Sequence, residues 1–161
     1  MPEHHQPDIS FARLGQIDPA VILAHMSDPR VATHMPLLSE PWTPEICAGF
    51  VAAKEACWQR DGLGHWAFLN HGDYVGWGGF QKEGDEWDFG LVLKPDVFGL
   101  GLPIAKKALA HARADDRIPF VTFLLPPSRR HLGALKRLGA TQLADIDYNG
   151  VRFLKFRLET A

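Results

Sequence analysis

Hydrophobic and polar positions alternate with period two in some stretches of the chain and with a period near 3.6 in others. Residues 8–14 set Ile9 and Phe11 against Ser10 and Ala12, which predicts a first strand. Asp18-Pro19 puts an N-cap residue before a proline at the first helical position, opening a helix through Val21, Ile22 and Met26. Asp28-Pro29 repeats the signal for a short second helix. Residues 35–42 carry Pro36 and Pro41 and predict a loop. Thr43-Pro44-Glu45 caps a third helix to about Arg60, with Ile46, Phe50, Val51, Cys57 and Trp58 on one broad face. Residues 64–70, 74–82 and 86–93 then shift towards period two. Their connectors, His71-Gly72-Asp73 and Glu83-Gly84-Asp85, are short and contain glycine, so the strands form an antiparallel meander.

A helix over 102–113 follows, with Leu102, Ala105, Ala108, Leu109 and Ala112 on its apolar face. The mostly apolar run 118–125 reads as a strand covered on both sides, with Pro119 near its start, where a strand tolerates proline best. Pro126-Pro127-Ser128 leads into a helix over 129–138 that Gly139 closes as a left-handed cap. Residues 141–148 and 151–158, joined by Asn149-Gly150, form a hairpin. The strand–helix–strand segment around 86–125 needs a crossover, and hence one parallel pairing in an otherwise antiparallel sheet. The expected fold is α/β: a mixed, mostly antiparallel sheet with helices on both faces. It forms one domain over 1–161, with a flexible tail at 1–7.

Composition narrows the function. The chain is 161 residues long and 46% hydrophobic, with ten Phe and five Trp, enough for a sizeable core. Its net charge of −2 advertises no basic surface, so nucleic acid is not the expected ligand. No apolar run approaches the ~18 residues of a membrane span, and the polar start lacks the apolar core of a signal peptide, so the expected compartment is the cytoplasm. Cys47 and Cys57 read as small buried hydrophobes, and the eight His show no metal-ligand spacing.

The chemistry concentrates where the fourth strand meets the next helix, at Lys94-Pro95-Asp96-Val97-Phe98-Gly99-Leu100-Gly101. A helix start carries backbone N–H groups with no partner and the positive end of the helix dipole, and glycines let an anion approach closely. Taken alone, Gly-x-Gly is more often just a tight turn.

Order and spacing add more. The loop and the order of elements resemble the GNAT acyltransferase superfamily, whose acetyl-CoA loop reads Gln/Arg-x-x-Gly-x-Gly/Ala. That frame falls on residues 96–101. An aromatic just before Gly-x-Gly resembles the branch of ribosomal-protein N-terminal acetyltransferases. So do "SDPRV" at 27–31, "WTPEICAGFV" at 42–51, "YVGWGGF" at 74–80, "DFGLVLKP" at 88–95 and "ALKRLGA" at 134–140, in that order.

The resemblance implies an acetyl-CoA-dependent N-acetyltransferase. The CoA pyrophosphate would lie on the amides of Leu100, Gly101, Leu102 and Ile104, in the loop of Phe98 and Gly99. The pantetheine arm would run along Leu91, Val92 and Leu93. The fourth and fifth strands would splay to admit the thioester. Ser128 stands where the family often has Asn. Arg129, Arg130, Lys136 and Arg137 make the last helix basic, which reads as a solvated face, with Arg129 or Arg130 meeting the 3′-phosphate as the alternative. Three positions depart from the pattern: Asp96 replaces Gln or Arg, Pro103 lacks an N–H, and Leu135 stands where some members have a tyrosine acid. In this frame Glu86 and Asp88, two apart on one strand, are candidates for the base, and His131 is the candidate acid near the sulfur. Tyr148 or Tyr74 are alternatives, and direct attack needs no acid at all. Trp42 and Trp77 are candidate walls for the acceptor. The implied partner is a protein N-terminus or a small-molecule amine, met by a monomer or homodimer. The alternative is a CoA-binding module with weak or no catalysis. A dinucleotide-binding fold is disfavoured, because antiparallel strands precede the glycine loop.

Overall fold

The structure, a computed structural model, describes residues 6–32, 35, 40–127 and 132–160. The expected tail at 1–7 falls outside these residues except for Gln6 and Pro7, and so does much of the expected loop at 35–42. Ser128, Arg129, Arg130 and His131 also lie outside them, and with them the expected start of the last helix.

The strands are β1 (Ile9–Arg13), β2 (His65–Asn70), β3 (Asp73–Glu83), β4 (Glu86–Leu93), β5 (Phe120–Leu125), β6 (Thr141–Gln142), β7 (Ile146–Tyr148) and β8 (Val151–Glu159). The helices are α1 (Pro19–Met26), α2 (Pro29–Ala32), α3 (Pro44–Asp61), α4 (Gly101–Arg113) and α5 (Gly133–Leu138). Local chemistry sets their ends. The Ala20 N–H donates to Asp18 Oδ1 at 2.9 Å, and the Ile46 N–H donates to Thr43 Oγ1 at 3.2 Å. Gly62 (φ 72°) closes α3 and Gly139 (φ 94°) closes α5 in left-handed geometry.

The sheet runs β1-β2-β3-β4-β5-β8-β6, with β7 paired to β8 beside it. Every pairing is antiparallel except β4 with β5. The mixed, mostly antiparallel sheet of the sequence reading is therefore present, with its single parallel junction in the expected place. The C-terminal hairpin is interrupted. β6 pairs with Phe156 and Arg157, β7 pairs with Val151 to Phe153, and residues 143–145 pass between them on a bond from the Leu143 N–H to the Lys155 carbonyl of 2.8 Å. Its turn is as read, with Asn149 and Gly150 both at positive φ (51° and 79°).

Two apolar clusters cover the two sheet faces. Ile104, Ala108, Leu109 and Ala112 of α4 pack on Phe80, Phe89, Val121, Phe123 and Phe156. On the opposite face Ile22, Met26 and Cys47 of the α1–α3 side pack on Ala67 and Trp77. Both helical faces are as read in the sequence except at their first positions. Leu102 is 45% exposed while Ile104 is fully buried, and Ile46 is 37% exposed while Cys47 is 1% exposed. One residue is a turn of about 100°, so the residue at which a helix docks decides which neighbour faces in. Cys47 and Cys57 are both buried free thiols.

Glycines bring β3 and β4 together. A Cβ at Gly78 would lie 2.1 Å from the Gly90 carbonyl oxygen, and one at Gly76 would lie 2.4 Å from that of Val92. The "YVGWGGF" stretch thus places β4 tightly against β3 and leaves its other edge to β5.

Candidate active site

The parallel junction is short. Asp88 pairs with Thr122 and Phe89 with Phe123, and among the described residues the pairing goes no further. Beyond it β5 continues with β8 at Leu124 and Leu125, while β4 stays with β3 as far as Leu93 opposite Gly76. The two strands therefore part, and the β5-side edge of Gly90 to Leu93 is left without a strand partner. This edge contains Leu91, Val92 and Leu93.

The start of α4 abuts the same edge. Ideal Cβ positions put Gly101 at 3.7 Å from Leu91 Cδ2 and from Leu93 Cδ1, whereas a Cβ at Gly99 would meet nothing within 4 Å. Leu100, the N-cap, offers no side-chain acceptor to the first amides. Leu102 is exposed beside them, and Ile104 anchors the first turn in the core. Phe98 lies in the turn, Pro95–Leu100, that feeds the helix. Pro103 removes one donor from the first turn, leaving a set of uncapped N–H groups beside a free strand edge. Asp96 is offset from outside the loop: Arg30 Nη1 of α2 lies 3.3 Å from its carboxylate, and Arg30 also reaches Asp28 at 2.8 Å.

At the fork between β4 and β5, Thr122 Oγ1 donates to Asp88 Oδ1 at 3.0 Å. Burial pushes the Asp88 carboxyl up to about 7, helped by the nearby Glu83 and Glu86, while the Thr122 bond and Lys155 oppose the shift. Glu86, on the same sheet face, is paired with Lys155 Nζ at 2.8 and 3.1 Å. The two carboxylates singled out in the sequence thus differ: one is offset by a lysine and the other is poised near neutrality.

Three further polar groups share that face and were not singled out in the sequence. Lys54 Nζ of α3 donates to Gln81 Oε1 at 2.8 Å, and Gln81 stands directly opposite Asp88. His65 is buried, its pKa is held well below the usual imidazole value by desolvation and by Lys54, and its Nδ1 has no hydrogen-bond partner. Lys54 and Thr122 each leave a trace in the sequence: each is a polar residue inside an otherwise apolar stripe or run.

The aromatic candidates form a ladder. Trp42 meets Phe50 edge to face at 5.0 Å between centroids, and Phe50 meets Trp77 at 4.9 Å. Trp77 is a core residue, with its Nε1 on Met26 Sδ at 3.2 Å, while Trp42 stands half-buried at the outer end. Tyr74 is tied to His25 (Oη to Nδ1, 2.7 Å), and burial raises the tyrosine pKa and lowers that of the histidine. Tyr148 has its pKa raised, first by the negative charge of Glu83 and then by burial. A cavity of about 360 Å³ lies between α1 and Lys94-Pro95-Asp96, outside the fork.

Three features thus meet at one place in the fold: a splayed parallel pair, a glycine-bearing helix start beside its free edge, and a buried carboxyl at its fork. The family described as "Acetyltransferase (GNAT) domain" matches residues 11–141, and the chain belongs to it. Comparison with curated protein sequences gives no match. Among solved structures, an acetyltransferase from Agrobacterium tumefaciens is similar at a TM-score of 0.73 and 20% identity, covering 96% of this chain and 93% of that one. A spermidine N-acetyltransferase from Vibrio cholerae, in complex with CoA and spermine, gives 0.73 and 8%, covering 96% of each chain. A ribosomal-protein-alanine N-acetyltransferase from Brucella melitensis gives 0.70 and 14%, covering 94% and 99%. At these identities the likeness is one of fold. No helix among the described residues is long and apolar enough to cross a membrane.

Proposed function

We propose that this GNAT domain transfers an acetyl group from acetyl-CoA to a primary amine by direct attack within a sequential complex. The observation that carries the reading is the parting of β4 from β5 just past Asp88 and Thr122, with a carboxyl of pKa about 7 at the fork. The free edge at Leu91, Val92 and Leu93 offers backbone groups to the pantetheine arm. The amides of Leu100, Gly101, Leu102 and Ile104 suit the pyrophosphate, with Gly99 and Phe98 in the loop they close. Ser128 and Arg130 keep their proposed places at the CoA end.

Asp88 is the proton acceptor in this reading. It is about half ionised at neutral pH, so it can take a proton from the incoming ammonium, directly or through a water. The neutral amine then attacks the thioester carbonyl, the C–N bond forms, and CoA leaves as a thiolate. Glu86, held by Lys155, contributes charge and not proton transfer. His131 remains the proposed acid for the thiolate, and Trp42, backed by Phe50 and Trp77, walls the acceptor side. The acceptor is a protein N-terminal α-amine or a small-molecule amine. The N-terminal reading rests on the sequence stretches shared with the ribosomal-protein branch.

The test is turnover of an amine panel that includes N-terminal peptides and polyamines, read by thiol release, beside calorimetric titration with acetyl-CoA and CoA. Binding with turnover supports the transferase. Binding without turnover of any amine leaves a CoA-binding module, and no binding removes the reading.

A further inference from the structure

α3 turns a lysine towards the sheet in a stripe that is otherwise apolar. Cys47, Phe50, Val51, Cys57 and Trp58 lie on that side, and Lys54 falls among them. Its ammonium is held by neutral groups: Nζ lies 5.3 Å from the Trp77 ring centroid and 5.7 Å from that of Phe50, and it donates to Gln81 Oε1 at 2.8 Å.

Its partners fix where the amine sits. Trp77 stands opposite Val92, on the free edge of β4, and Gln81 stands opposite Asp88, at the fork. Between them Gly79 opposes Gly90, so neither strand raises a side chain there. At Gly90 the His65 ring approaches, 3.5 Å from an ideal Cβ. The ammonium therefore lies over β3, between Trp77 and Gln81, on the sheet face that carries Asp88 and one strand from the proposed thioester edge.

We infer that Lys54 Nζ is itself an acyl acceptor, so that the protein acetylates Lys54 when acetyl-CoA is bound and no amine substrate fills the cleft. This rests on the acetyltransferase reading. In the step, Nζ loses a proton to Asp88 and attacks the thioester carbonyl. The N–C bond forms, the C–S bond breaks, and CoA takes the electron pair and then a proton. Desolvation lowers the Lys54 pKa, favouring the neutral amine, while the nearby Cys57, Glu83 and Asp88 oppose that shift. Acetyl-Lys54 would lose the cation from the aromatic and amide cradle and enlarge the side chain there, closing the cleft to external amines.

The experiment incubates the full chain with isotopically labelled acetyl-CoA without any amine, follows intact mass, and maps the label by peptide. The expected result is one acetyl group on Lys54, added at a rate independent of protein concentration, absent in Lys54→Arg, and slowed tenfold or more in Asp88→Asn. Label spread over surface lysines and indifferent to Asp88 overturns the inference. So does an unlabelled Lys54 in a protein that turns over external amines, an outcome that leaves the transferase reading standing. Absence of acetyl-CoA binding removes both.

Discussion

Thr122 and Asp88 meet across the last rung but one of the β4–β5 junction, hydroxyl to carboxylate at 3.0 Å, where the strands are about to part. The bond favours the ionised carboxylate and burial favours the neutral acid. Burial is the larger effect, and the balance leaves a carboxyl that titrates near neutrality at the mouth of the splay. A carboxylate in water would be too weak a base to share a proton with an amine at pH 7. One at about 7 matches the operating pH, where general bases work best.

Asp88→Asn keeps the shape and the acceptor for the Thr122 hydroxyl but removes the titration. Acetyl transfer at pH 7 should fall by roughly tenfold to a thousandfold, with acetyl-CoA affinity nearly unchanged. The wild-type rate should rise with pH through about 7 as Asp88 ionises, and the variant should lack that rise. Glu86→Gln should cost less, because Lys155 already holds that charge. Single-turnover rates from pH 5 to 9 check this, and equal profiles for wild type and Asp88→Asn would sink the assignment.

Thr122→Val removes a bond that stabilises the charged form, so the Asp88 pKa should rise further. A bond to a charged group contributes about 1.5–3 kcal/mol, so the rising limb of the rate profile should move up by about one to two pH units. The plateau at high pH should change little. A limb that stays in place, or moves down, would show that another group sets the profile.

Local chemistry made much of the fold readable. Asp18-Pro19, Thr43-Pro44 and Asn149-Gly150 each act on backbone within three residues of themselves, and each forms the element expected of it. Helix facing was readable except in the first turns, where Ile46 and Leu102 fit the pattern but docking turns Cys47 and Ile104 inward. The site was legible in part. Glu86 and Asp88 share a face by strand alternation, but only Lys155, 69 residues from Glu86, separates their roles. Lys54 and Thr122 become functional candidates through contacts 27 and 34 residues away in the chain, which no local pattern encodes. Their signal was a polar residue where an apolar one was due.

Asp88 should also leave a mark on stability. Its folded-state pKa is raised from 3.8 to about 7, so folding favours the protonated form. Its stabilising contribution is therefore fully present below about pH 4 and is lost as pH rises through about 7. Asp88→Asn removes that loss. Relative to wild type, the variant should gain stability steadily between pH 4 and 8, towards a ceiling of about 4 kcal/mol. Thermal melts at pH 4, 6 and 8 measure it, and a Tm difference that does not change with pH would mean that the carboxyl is not desolvated.

The phosphate loop is tested by a pair of glycine variants whose structural costs differ from their expected binding costs. At Gly101 a Cβ meets only Leu91 and Leu93 methyl groups at 3.7 Å, an ordinary contact, and a glutamate in the first turn of α4 is favoured by the helix dipole. Gly101→Glu should therefore fold with a Tm near that of wild type. If the CoA pyrophosphate rests on these amides, the new carboxylate meets it as a like charge, and binding should weaken by roughly 3 kcal/mol, more than a hundredfold in Kd. Gly99→Ala adds a methyl group to open space, with nothing within 4 Å, so its Tm should be unchanged. Its acetyl-CoA affinity should fall by tenfold or less, since one methyl narrows the loop without adding charge. Calorimetry on both variants decides the matter. A folded Gly101→Glu protein that binds acetyl-CoA as tightly as wild type would move the phosphate site away from the start of α4, and the free edge of β4 would then need another ligand.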